Sequence, residues 1–531
     1  MTPELRDRAA AWIAVDPDPD TRAELERLVA ADDGAGVADR FDGRLQFGTA
    51  GLRGALGAGP MRMNRVVVRR AAWGLVQYLL RTDPRTAERG IVIGYDARRN
   101  SDVFALDSAR VAAALGVRSM LLPHRLPTPV LAFSITELDA AAGVMVTASH
   151  NPPQDNGYKV YLGDGAQIVP PHDTGISAEI DRAPADVPVS AEDDPLISTL
   201  DGAVIRAYVE AIRPATATDV RVAYTPMHGV GGEVLLAAFE HAGLPAPHVV
   251  EAQFQPDPSF PTVSFPNPEE PGAMDLLLEL AASCAADIAL ANDPDADRLG
   301  AAIPTPDGGW RRLGGDELGW LLADHLLSTT TGGDRLVITT LVSSTLLGEM
   351  AAAHGVRYAE TFTGFKWIAR MVLDHPEWQF LFGYEQALGY LVASRPLDKD
   401  GISAAVMMAE VAATAKASGE TLQQRLDAIA DRYGRHLTQE HSIKMDPAVG
   451  AVAVAAMQAK PPAELAGHPV TEVTWFEEAG LLRLQCGPTA RVQVRPSGTE
   501  PKVKVYAEAV GADPAPLVDA LVAYFDSCVQ T

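Results

Sequence analysis

The chain has 531 residues, of which 47% are hydrophobic and 21% are charged. This length exceeds one ordinary hydrophobic core and predicts roughly three to five domains. The 44 Lys and Arg residues against 69 Asp and Glu residues give a net charge of −25, which argues against nucleic acid and anionic membranes as partners. An anionic small molecule would be repelled as well, so binding one requires a locally basic site.

The N-terminal sequence lacks the basic start and apolar core of a signal peptide. No stretch reaches the roughly 18 uninterrupted apolar residues of a membrane span. Cys284, Cys486 and Cys528 are scattered, without the spacing of a metal site or a disulfide framework. We therefore expect a cytoplasmic protein with reduced cysteines and no membrane partner. No feature of the sequence indicates an oligomeric state.

Two helical patterns, residues 3–14 and 21–31, open the chain on either side of an Asp-Pro break. Short apolar runs then alternate with helical stretches. Residues 90–96 and 142–147 are typical of buried strands, and residues 101–115 between them indicate a helix. This β-α-β alternation predicts a mostly parallel sheet covered by helices.

The alternation recurs twice, and the C-terminal segment differs from it. Further buried strands are predicted at residues 220–224, 287–291, 335–340 and 380–383. Antiparallel strands are predicted at residues 481–486, 491–495 and 502–510, and a closing helix at 514–529. We therefore predict a helical extension, three α/β domains and a smaller α+β domain, at residues 1–40, 41–205, 206–325, 326–440 and 441–531. The Pro- and Asp-rich residues 183–195 are predicted to form a linker.

The first candidate functional loop is TASHNPPQDNGYK, residues 147–159 (the serine loop). It follows a buried strand, where open α/β sheets place their ligands. Small and turn-forming neighbours leave the Ser149 hydroxyl free to be exposed, although a plain turn is an equal alternative. His150 suggests a hydrolytic base, but adjacent loop residues rarely face a common proton and no Gly-x-Ser-x-Gly elbow is present.

The second loop is DPDADR, residues 293–298 (the aspartate loop). Asp293, Asp295 and Asp297 alternate, so on an extended segment they point the same way. Carboxylate oxygens suit Mg²⁺, and a cation relieves the repulsion between neighbouring aspartates. Arg298 fits a phosphate-facing site. The alternative is a solvated acidic turn.

Two further loops lie in the second half of the chain. In GYEQALGY, residues 383–390, Glu385 suits hydrogen bonding to sugar hydroxyls, and an ordinary turn is equally compatible. In RPSGTEPK, residues 495–502, an arginine fork, hydroxyls and a glycine turn form an anion nest, with a tight hairpin as the alternative. The nest residues are Arg495, Ser497, Gly498 and Thr499. This loop supplies the basic site that the net charge makes necessary.

Together with FGTAGLRG, residues 47–54, these loops resemble the α-D-phosphohexomutase superfamily, in order, from residue 47 to residue 506. The resemblance implies an α/β fold of four domains around a central cleft, three similar α/β domains with mixed sheets and a smaller C-terminal α+β domain. It implies sugar phosphates as substrates, Mg²⁺ as cofactor, and a sugar 1,6-bisphosphate as activator.

The resemblance also implies residue roles. Ser149 becomes the phosphoserine, which completes a metal site made by Asp293, Asp295 and Asp297. The residues expected near the transferred phosphoryl group are Arg53, His150, Lys159 and Arg298, with Lys159 as the proton shuttle. The residues expected to bind substrate are Lys366, Glu385, Arg495, Ser497, Gly498 and Thr499, of which Lys366 lies in a TGFKW segment similar to the family's specificity loop.

The chain departs from the hexomutase pattern Gly-Glu-x-Ser-Gly, because Tyr384 precedes Glu385 and Ala387 stands at the serine position. A lost hydroxyl removes one polar contact to the sugar, and the segment looks more like the phosphopentomutase-like branch. We favour a mutase that interconverts hexose 1-phosphate and hexose 6-phosphate (glucose and/or mannose), with pentose 1- and 5-phosphates as the alternative. A non-catalytic sugar-phosphate sensor and a metal-dependent phosphatase are further alternatives; the intact Ser149 and Lys159 argue against the sensor.

Overall fold

The computed structural model describes residues 1–496 and 502–529. Their contacts group the chain into two compact units. The first unit comprises Met1–Leu313 and Leu388–Ser418, and the second comprises Gly314–Ala387 and Gly419–Thr531. Within the described residues, no helix combines the length and apolar character that crossing a membrane requires.

The first unit opens with α1 (Pro3–Val15), α2 (Pro19–Ala30) and α3 (Gly34–Phe41). All three begin at a capping side chain, those of Thr2, Asp18 and Asp33. The two predicted helices are confirmed, and α3 was not predicted, since two glycines in its first turn obscure the helical pattern. The helices pack together around Trp12 and Leu25.

A six-stranded mixed sheet follows. Its strands are β1 (Leu52–Ala55), β2 (Ile91–Tyr95), β3 (Ser119–Leu121), β4 (Ala142–Val146), β5 (Asp155–Leu162) and β6 (Ile197–Thr199). Its helices are α4 (Arg65–Thr82), α5 (Thr86–Arg89), α6 (Ser101–Ala114), α7 (Thr128–Glu137), α8 (His172–Ile180) and α9 (Ala203–Glu210). The strand order is β1-β5-β4-β2-β3-β6, with β2 parallel to β3 and β4. The predicted strands β2 and β4 and helix α6 are confirmed. Residues 147–154 of the serine loop join β4 to the antiparallel β5, and residues 155–159 of the loop are the first part of β5.

The second sheet of this unit has five strands. They are β7 (Val222–Thr225), β8 (His248–Val249), β9 (Ile288–Asn292), β10 (Leu299–Pro304) and β11 (Trp310–Arg312), accompanied by α10 (Gly232–His241), α11 (Glu251–Phe254) and α12 (Asp275–Ser283). The order is β11-β10-β9-β7-β8. Strand β9 runs parallel to β7 and antiparallel to β10, so the aspartate loop is the turn at the carboxyl end of β9.

The second unit begins with a parallel α/β segment. Its elements are α13 (Gly315–Thr329), β12 (Arg335–Thr340), α14 (Leu346–Ala353), β13 (Arg357–Thr361), α15 (Phe365–Asp374) and β14 (Gln379–Glu385). Strand β12 lies between β13 and β14, parallel to both. The chain then contributes β15 (Gly389–Leu391) and the buried helix α16 (Gly401–Ala417) to the first unit, where α16 packs against α10 and β9.

The rest of the second unit is built on an antiparallel sheet. Its elements are α17 (Leu422–Tyr433), β16 (His436–Lys444), α18 (Pro447–Ala459), β17 (Glu464–Leu465), β18 (His468–Phe476), a 3₁₀ turn (Glu477–Ala479), β19 (Leu481–Cys486), β20 (Ala490–Pro496), β21 (Lys502–Val510) and α19 (Ala515–Val529). The order is β16-β21-β20-β19-β18-β17, and α18 and α19 pack on the sheet. The three predicted C-terminal strands and the closing helix are confirmed. Strand β16 starts at His436, five residues before the predicted domain boundary at 441.

Candidate active site

Ser149 lies just beyond the carboxyl end of β4. Its φ is 53°, in the left-handed region that serine seldom adopts, and its side chain is buried. The Ser149 N–H donates to Thr147 Oγ1 at 2.8 Å, and the hydroxyl donates to Asp293 Oδ2 at 3.0 Å. A strained residue persists only where its surroundings hold it, so the position of this hydroxyl is fixed by the fold.

Arg98 holds the serine loop from its buried side. Its guanidinium donates to four carbonyl oxygens of the loop, those of Ser149 (2.6 Å), Asn151, Pro152 (2.8 Å) and Asp155 (3.1 Å). Its Nε lies 3.4 Å from Asp96 Oδ2. The planar, five-donor guanidinium can bind several carbonyls at once, and it therefore fixes the backbone of the loop.

The three aspartates of the aspartate loop form a buried cluster. One carboxylate oxygen of each lies within 4.8 Å of the others. Asp293 Oδ1 accepts from the Arg298 N–H at 3.0 Å, and Asp295 Oδ2 accepts from Thr128 Oγ1 at 2.7 Å. Among the described residues, neither Asp295 Oδ1 nor Asp297 Oδ1 has a hydrogen-bond partner. Buried carboxylate oxygens that lack donors and lie this close together fit a divalent cation.

The pKa shifts of the aspartates also indicate a site for a divalent cation. Burial, together with Asp295 and Asp297, raises the pKa of Asp293 well above its ordinary value. Burial also acts to raise the pKa of Asp297, but Lys159 and Lys399 outweigh it and hold that pKa low. A cation bound among these carboxylates would relieve the repulsion on Asp293.

Lys159, on β5, joins the serine loop to the aspartate cluster. Its Nζ donates to Asp295 Oδ2 and to Asp297 Oδ2, both at 2.7 Å. Burial acts to lower the pKa of Lys159, and the two aspartates raise it by more, so the net shift is upward. The ammonium group therefore remains charged, and the basic side chain required by an anionic ligand is present.

Lys399 is a second cation at the cluster, with Nζ 3.3 Å from Asp297 Oδ2. The preceding residue, Asp398, is anchored by the Tyr161 hydroxyl at 2.7 Å. At Gly401, where α16 begins, a Cβ would lie 2.3 Å from the carbonyl oxygen of Arg298. Glycine thus lets α16 start against the aspartate loop, which brings Lys399 to the cluster.

His150 faces the serine hydroxyl, with Nδ1 3.3 Å from Ser149 Oγ. Adjacent loop residues were expected only rarely to face a common proton; here the left-handed backbone of Ser149 brings the two side chains into contact, although the hydroxyl proton itself is donated to Asp293. Burial, with Arg298 and Arg53 nearby, lowers the pKa of His150 well below its ordinary value. The ring is therefore neutral, and Phe265 lies beside it at a centroid distance of 6.1 Å.

Arg53 and Arg298 border the same loops. Arg53, on β1, is exposed and donates to Asn151 Oδ1 at 3.1 Å. Arg298 closes the aspartate loop and directs Nη1 toward Glu269 Oε2 at 3.5 Å. The predicted residues near the phosphoryl group and the predicted metal ligands thus all belong to the first unit.

Glu385 and Lys366 lie in the second unit. Glu385 ends β14, is buried, and accepts the Gly364 N–H on Oε1 at 2.7 Å. Gly364 has a φ of 116° and directly precedes α15, whose first turn carries the half-buried Lys366. The structure therefore brings together Glu385 and the segment that resembles a specificity loop.

Arg495 lies on β20, opposite Lys504 of β21, so two cations adjoin one another at this end of the C-terminal sheet. The other residues predicted for the anion nest, Ser497, Gly498 and Thr499, lie outside the described residues.

Three side chains of the first-unit site were missed from the sequence: Arg98, Thr128 and Lys399. Arg98 lies three residues after the end of β2, and the rule that ligands gather at the carboxyl ends of parallel strands could have identified it. Lys399 stands in an Asp-Lys-Asp-Gly run before a helix, which is a weaker signal. Thr128 offered none, since its contact with Asp295 joins residues far apart in the chain.

Four domain families match successive segments of this chain. They are phosphoglucomutase/phosphomannomutase α/β/α domain I at residues 44–186, domain II at 205–308, domain III at 314–433, and the C-terminal domain at 458–523.

Individual relatives agree. A probable phosphomannomutase of Haemophilus influenzae is 44% identical over 487 residues, covering 88% of this chain and 97% of that protein. The phosphopentomutase of Homo sapiens is 37% identical over 465 residues, covering 82% of this chain and 76% of that protein. A putative phosphomannomutase from Thermus thermophilus has the same fold, with a TM-score of 0.70, 24% identity, and coverage of 92% of this chain and 99% of that one. The superfamily resemblance is confirmed, and the fold comprises three α/β domains with mixed sheets and a smaller C-terminal domain with an antiparallel sheet. The chain belongs to the phosphoglucomutase/phosphomannomutase family, whose mutases are isomerase-class phosphotransferases.

Proposed function

We propose that this protein interconverts a sugar 1-phosphate and the same sugar's terminal phosphate through a phosphoserine at Ser149. The observation that carries the proposal is the buried Ser149 hydroxyl, 3.0 Å from Asp293 Oδ2, beside a cluster of three aspartates. A serine held in a strained conformation against carboxylates that fit a cation is suited to carrying a phosphoryl group. The mutase names of the relatives support this reaction class.

The cofactor that fits the cluster is Mg²⁺, with Asp293, Asp295, Asp297 and an oxygen of phosphorylated Ser149 as its ligands. Oxygen donors and space for further oxygen ligands are what Mg²⁺ prefers. When bound, the ion would supply charge neutralisation to the phosphoryl group during transfer.

The side chains around Ser149 supply the remaining chemistry. Lys159, charged and flanked by two aspartates, would exchange a proton with the sugar hydroxyl that gives or receives the phosphoryl group. His150, neutral and 3.3 Å from Ser149 Oγ, can hold the serine proton at Nδ1. Arg53 and Arg298 would offset negative charge on the phosphoryl oxygens.

Recognition of the sugar is assigned to the second unit. Glu385 accepts the Gly364 N–H on Oε1, which orients the carboxylate, and its Oε2 would accept from a sugar hydroxyl. Lys366 would contribute a positive charge, and Arg495 with residues 497–499 would hold the phosphate that is not reacting. A sugar 1,6-bisphosphate, formed when Ser149 gives up its group, would return its other phosphoryl group to Ser149 and serve as activator.

Two sugars are candidates. Interconversion of hexose 1-phosphate and hexose 6-phosphate, with glucose or mannose, follows from the general pattern of the superfamily and from the H. influenzae relative's name. Interconversion of pentose 1- and 5-phosphates is favoured by Ala387, which removes a hydroxyl from the sugar segment, and by the human relative's name.

The experiment is a comparison of wild type, Ser149→Ala and the control Ser134→Ala, with Mg²⁺, a trace of sugar bisphosphate and each candidate 1-phosphate. Ser134 is a buried serine that donates only to a carbonyl of its own helix α7, at 2.6 Å. We expect isomerisation in wild type and control, none in Ser149→Ala, and no release of inorganic phosphate. Normal turnover in Ser149→Ala would refute the phosphoserine, and phosphate release without isomerisation would indicate a phosphatase.

A further inference from the structure

One face of the β20–β21 ladder carries a continuous polar row. Alternate residues of a strand share a face, so Arg491, Gln493 and Arg495 of β20 line up. Their partners on β21 are Glu508, Tyr506 and Lys504. The phosphate-binding candidate Arg495 therefore ends a row that begins at Arg491, about 14 Å away along the strand.

The Arg491 end of this row is bound to the loop after β12, residues 341–345 (the junction loop). The buried Arg491 guanidinium donates to the carbonyl oxygens of Leu341 and Ser343. Gln493 Nε2 donates to the same Leu341 carbonyl at 2.7 Å. Arg491 and Gln493, which share one face of β20, thus both bind the junction loop, and this fixes the direction of β20.

The junction loop also holds the segment that contains Glu385. Ser343 Oγ accepts from the Gln386 N–H at 3.2 Å and lies 3.1 Å from Gln386 Oε1. The Ser344 N–H donates to Asp316 Oδ1 at 2.8 Å, and the Tyr384 hydroxyl donates to that same oxygen at 2.8 Å. Both neighbours of Glu385 are therefore positioned by the loop that positions β20.

The Glu508 carboxylate of this junction is paired with Arg491. Glu508 accepts from Arg491 Nε at 2.8 Å, from Ser344 Oγ at 2.6 Å and from the Thr345 N–H at 3.0 Å, and lies 2.9 Å from His436 Nδ1. A buried, fully hydrogen-bonded ionic network of this kind favours one geometry over alternatives. A cavity of about 50 Å³ lies between Gln386 and the Gln493 face. Because Gln386 and Gln493 each bind the junction loop, the loop sets the separation between these two residues.

We infer that Arg491 is a positioning residue that sets the span between Glu385 and Arg495 and thereby selects sugar phosphates by their length. This inference rests on the proposed function, in which Glu385 binds a sugar hydroxyl and Arg495 the unreactive phosphate. Hexose and pentose phosphates differ by one carbon, about 1.5 Å of chain. A fixed span therefore accepts one length better than the other.

The test is the ratio of kcat/KM for glucose 1-phosphate to kcat/KM for ribose 1-phosphate, measured in wild type and in Arg491→Lys. Lysine keeps the charge facing Glu508 but loses the fork that grips two carbonyls. We expect the ratio to change about tenfold, the value of one misplaced carbon in a binding site, and to change through KM. A ratio equal to that of wild type would overturn the inference, whatever the loss of overall activity.

A second variant and a control complete the design. Gln493→Met removes the hydrogen bond to Leu341, and it carries the same test if Arg491→Lys fails to fold. The control is Arg335→Lys: Arg335 is also buried and donates to carbonyl oxygens, including those of Thr330 and His354, but it begins β12 and so lies at the opposite end of that strand from the junction loop. We expect the control to keep the wild-type ratio. A wild-type protein inactive on every sugar phosphate would instead refute the proposed function, an outcome distinct from an unchanged ratio.

Discussion

Asp316 is a buried carboxyl group behind the sugar-binding segment, and it makes the stability of the second unit depend on pH. Its Oδ1 accepts from Tyr384 and Ser344, and its Oδ2 accepts from Thr438 Oγ1 at 3.0 Å. Burial raises the pKa of Asp316 from 3.8 to about 6. At neutral pH the fold must therefore bear an unfavourable buried charge.

The size of this effect follows from the shift. Because the folded-state pKa lies above the unfolded value, the folded state binds the proton more tightly, and stability falls as pH rises from 3.8 to about 6. The shift lowers the free energy of unfolding by about 3 kcal/mol at neutral pH, and this loss of stability is absent well below pH 3.8. Asp316→Asn removes the ionisation while its amide oxygen can still accept from Tyr384 and Ser344, and its NH₂ can donate to Thr438.

The assay is hydrogen–deuterium exchange of strand Gln379–Glu385 in wild type and Asp316→Asn, with strand Ile91–Tyr95 of the first unit as internal control. We expect the opening free energy of the variant to increase, relative to that of wild type, by about 2–3 kcal/mol between about pH 4 and about pH 7.5, because wild type loses stability over this range and the variant does not. The difference cancels any constant effect of the substitution and the titration of all other groups. A difference that does not change with pH would show that burial of Asp316 does not raise its pKa.

Two further predictions concern the first unit. Arg98→Met removes the donor to four carbonyls of the serine loop. We therefore expect phosphorylation of Ser149 by a sugar bisphosphate, measured by phosphopeptide mass spectrometry, to slow at least about 100-fold. An unchanged rate would show that the loop holds its shape without Arg98. Gly401→Ala places a Cβ 2.3 Å from the Arg298 carbonyl oxygen, so we expect weaker Mg²⁺ binding in calorimetry. The control Gly202→Ala, whose Cβ has its nearest neighbour at 3.5 Å, should bind Mg²⁺ as wild type does. Equal affinities in the two variants would contradict a role for the close approach of α16 to the aspartate loop.

The described residues divide the proposed chemistry between the two units. The first unit holds Ser149, which is the proposed phosphoryl carrier, together with the aspartate cluster and Lys159. The second unit holds Glu385, Lys366 and Arg495, which are proposed to recognise the sugar and its distal phosphate. Substitutions in the second unit should therefore affect KM and sugar selectivity, whereas those around Ser149 should affect the transfer step itself.

The sequence predicted most of what depends on local pattern. Apolar runs such as residues 91–95 and 142–146 identify buried strands, and the serine and aspartate loops follow such strands, so their position at the carboxyl ends of β4 and β9 was expected. The alternating strands at residues 481–510 were equally clear.

What the sequence did not predict depends on contacts between distant residues. Arg98 acts through carbonyl oxygens, which any residue type supplies, so its targets leave no mark in the sequence. Lys399 reaches Asp297 only because Gly401 permits a close approach of α16. His150 meets the serine hydroxyl because Ser149 adopts a left-handed backbone, a conformation that its residue type does not suggest.

The most direct test of a phosphoserine at Ser149 follows the phosphoryl group itself. Wild-type protein is incubated with Mg²⁺ and a sugar 1,6-bisphosphate, freed of small molecules, and then given the sugar 1-phosphate, with the peptide that contains Ser149 weighed at each step. We predict that this peptide gains one phosphoryl group and then loses it to the sugar, with formation of the bisphosphate. An active enzyme in which Ser149 stays unmodified, or in which the group passes to water, would contradict it.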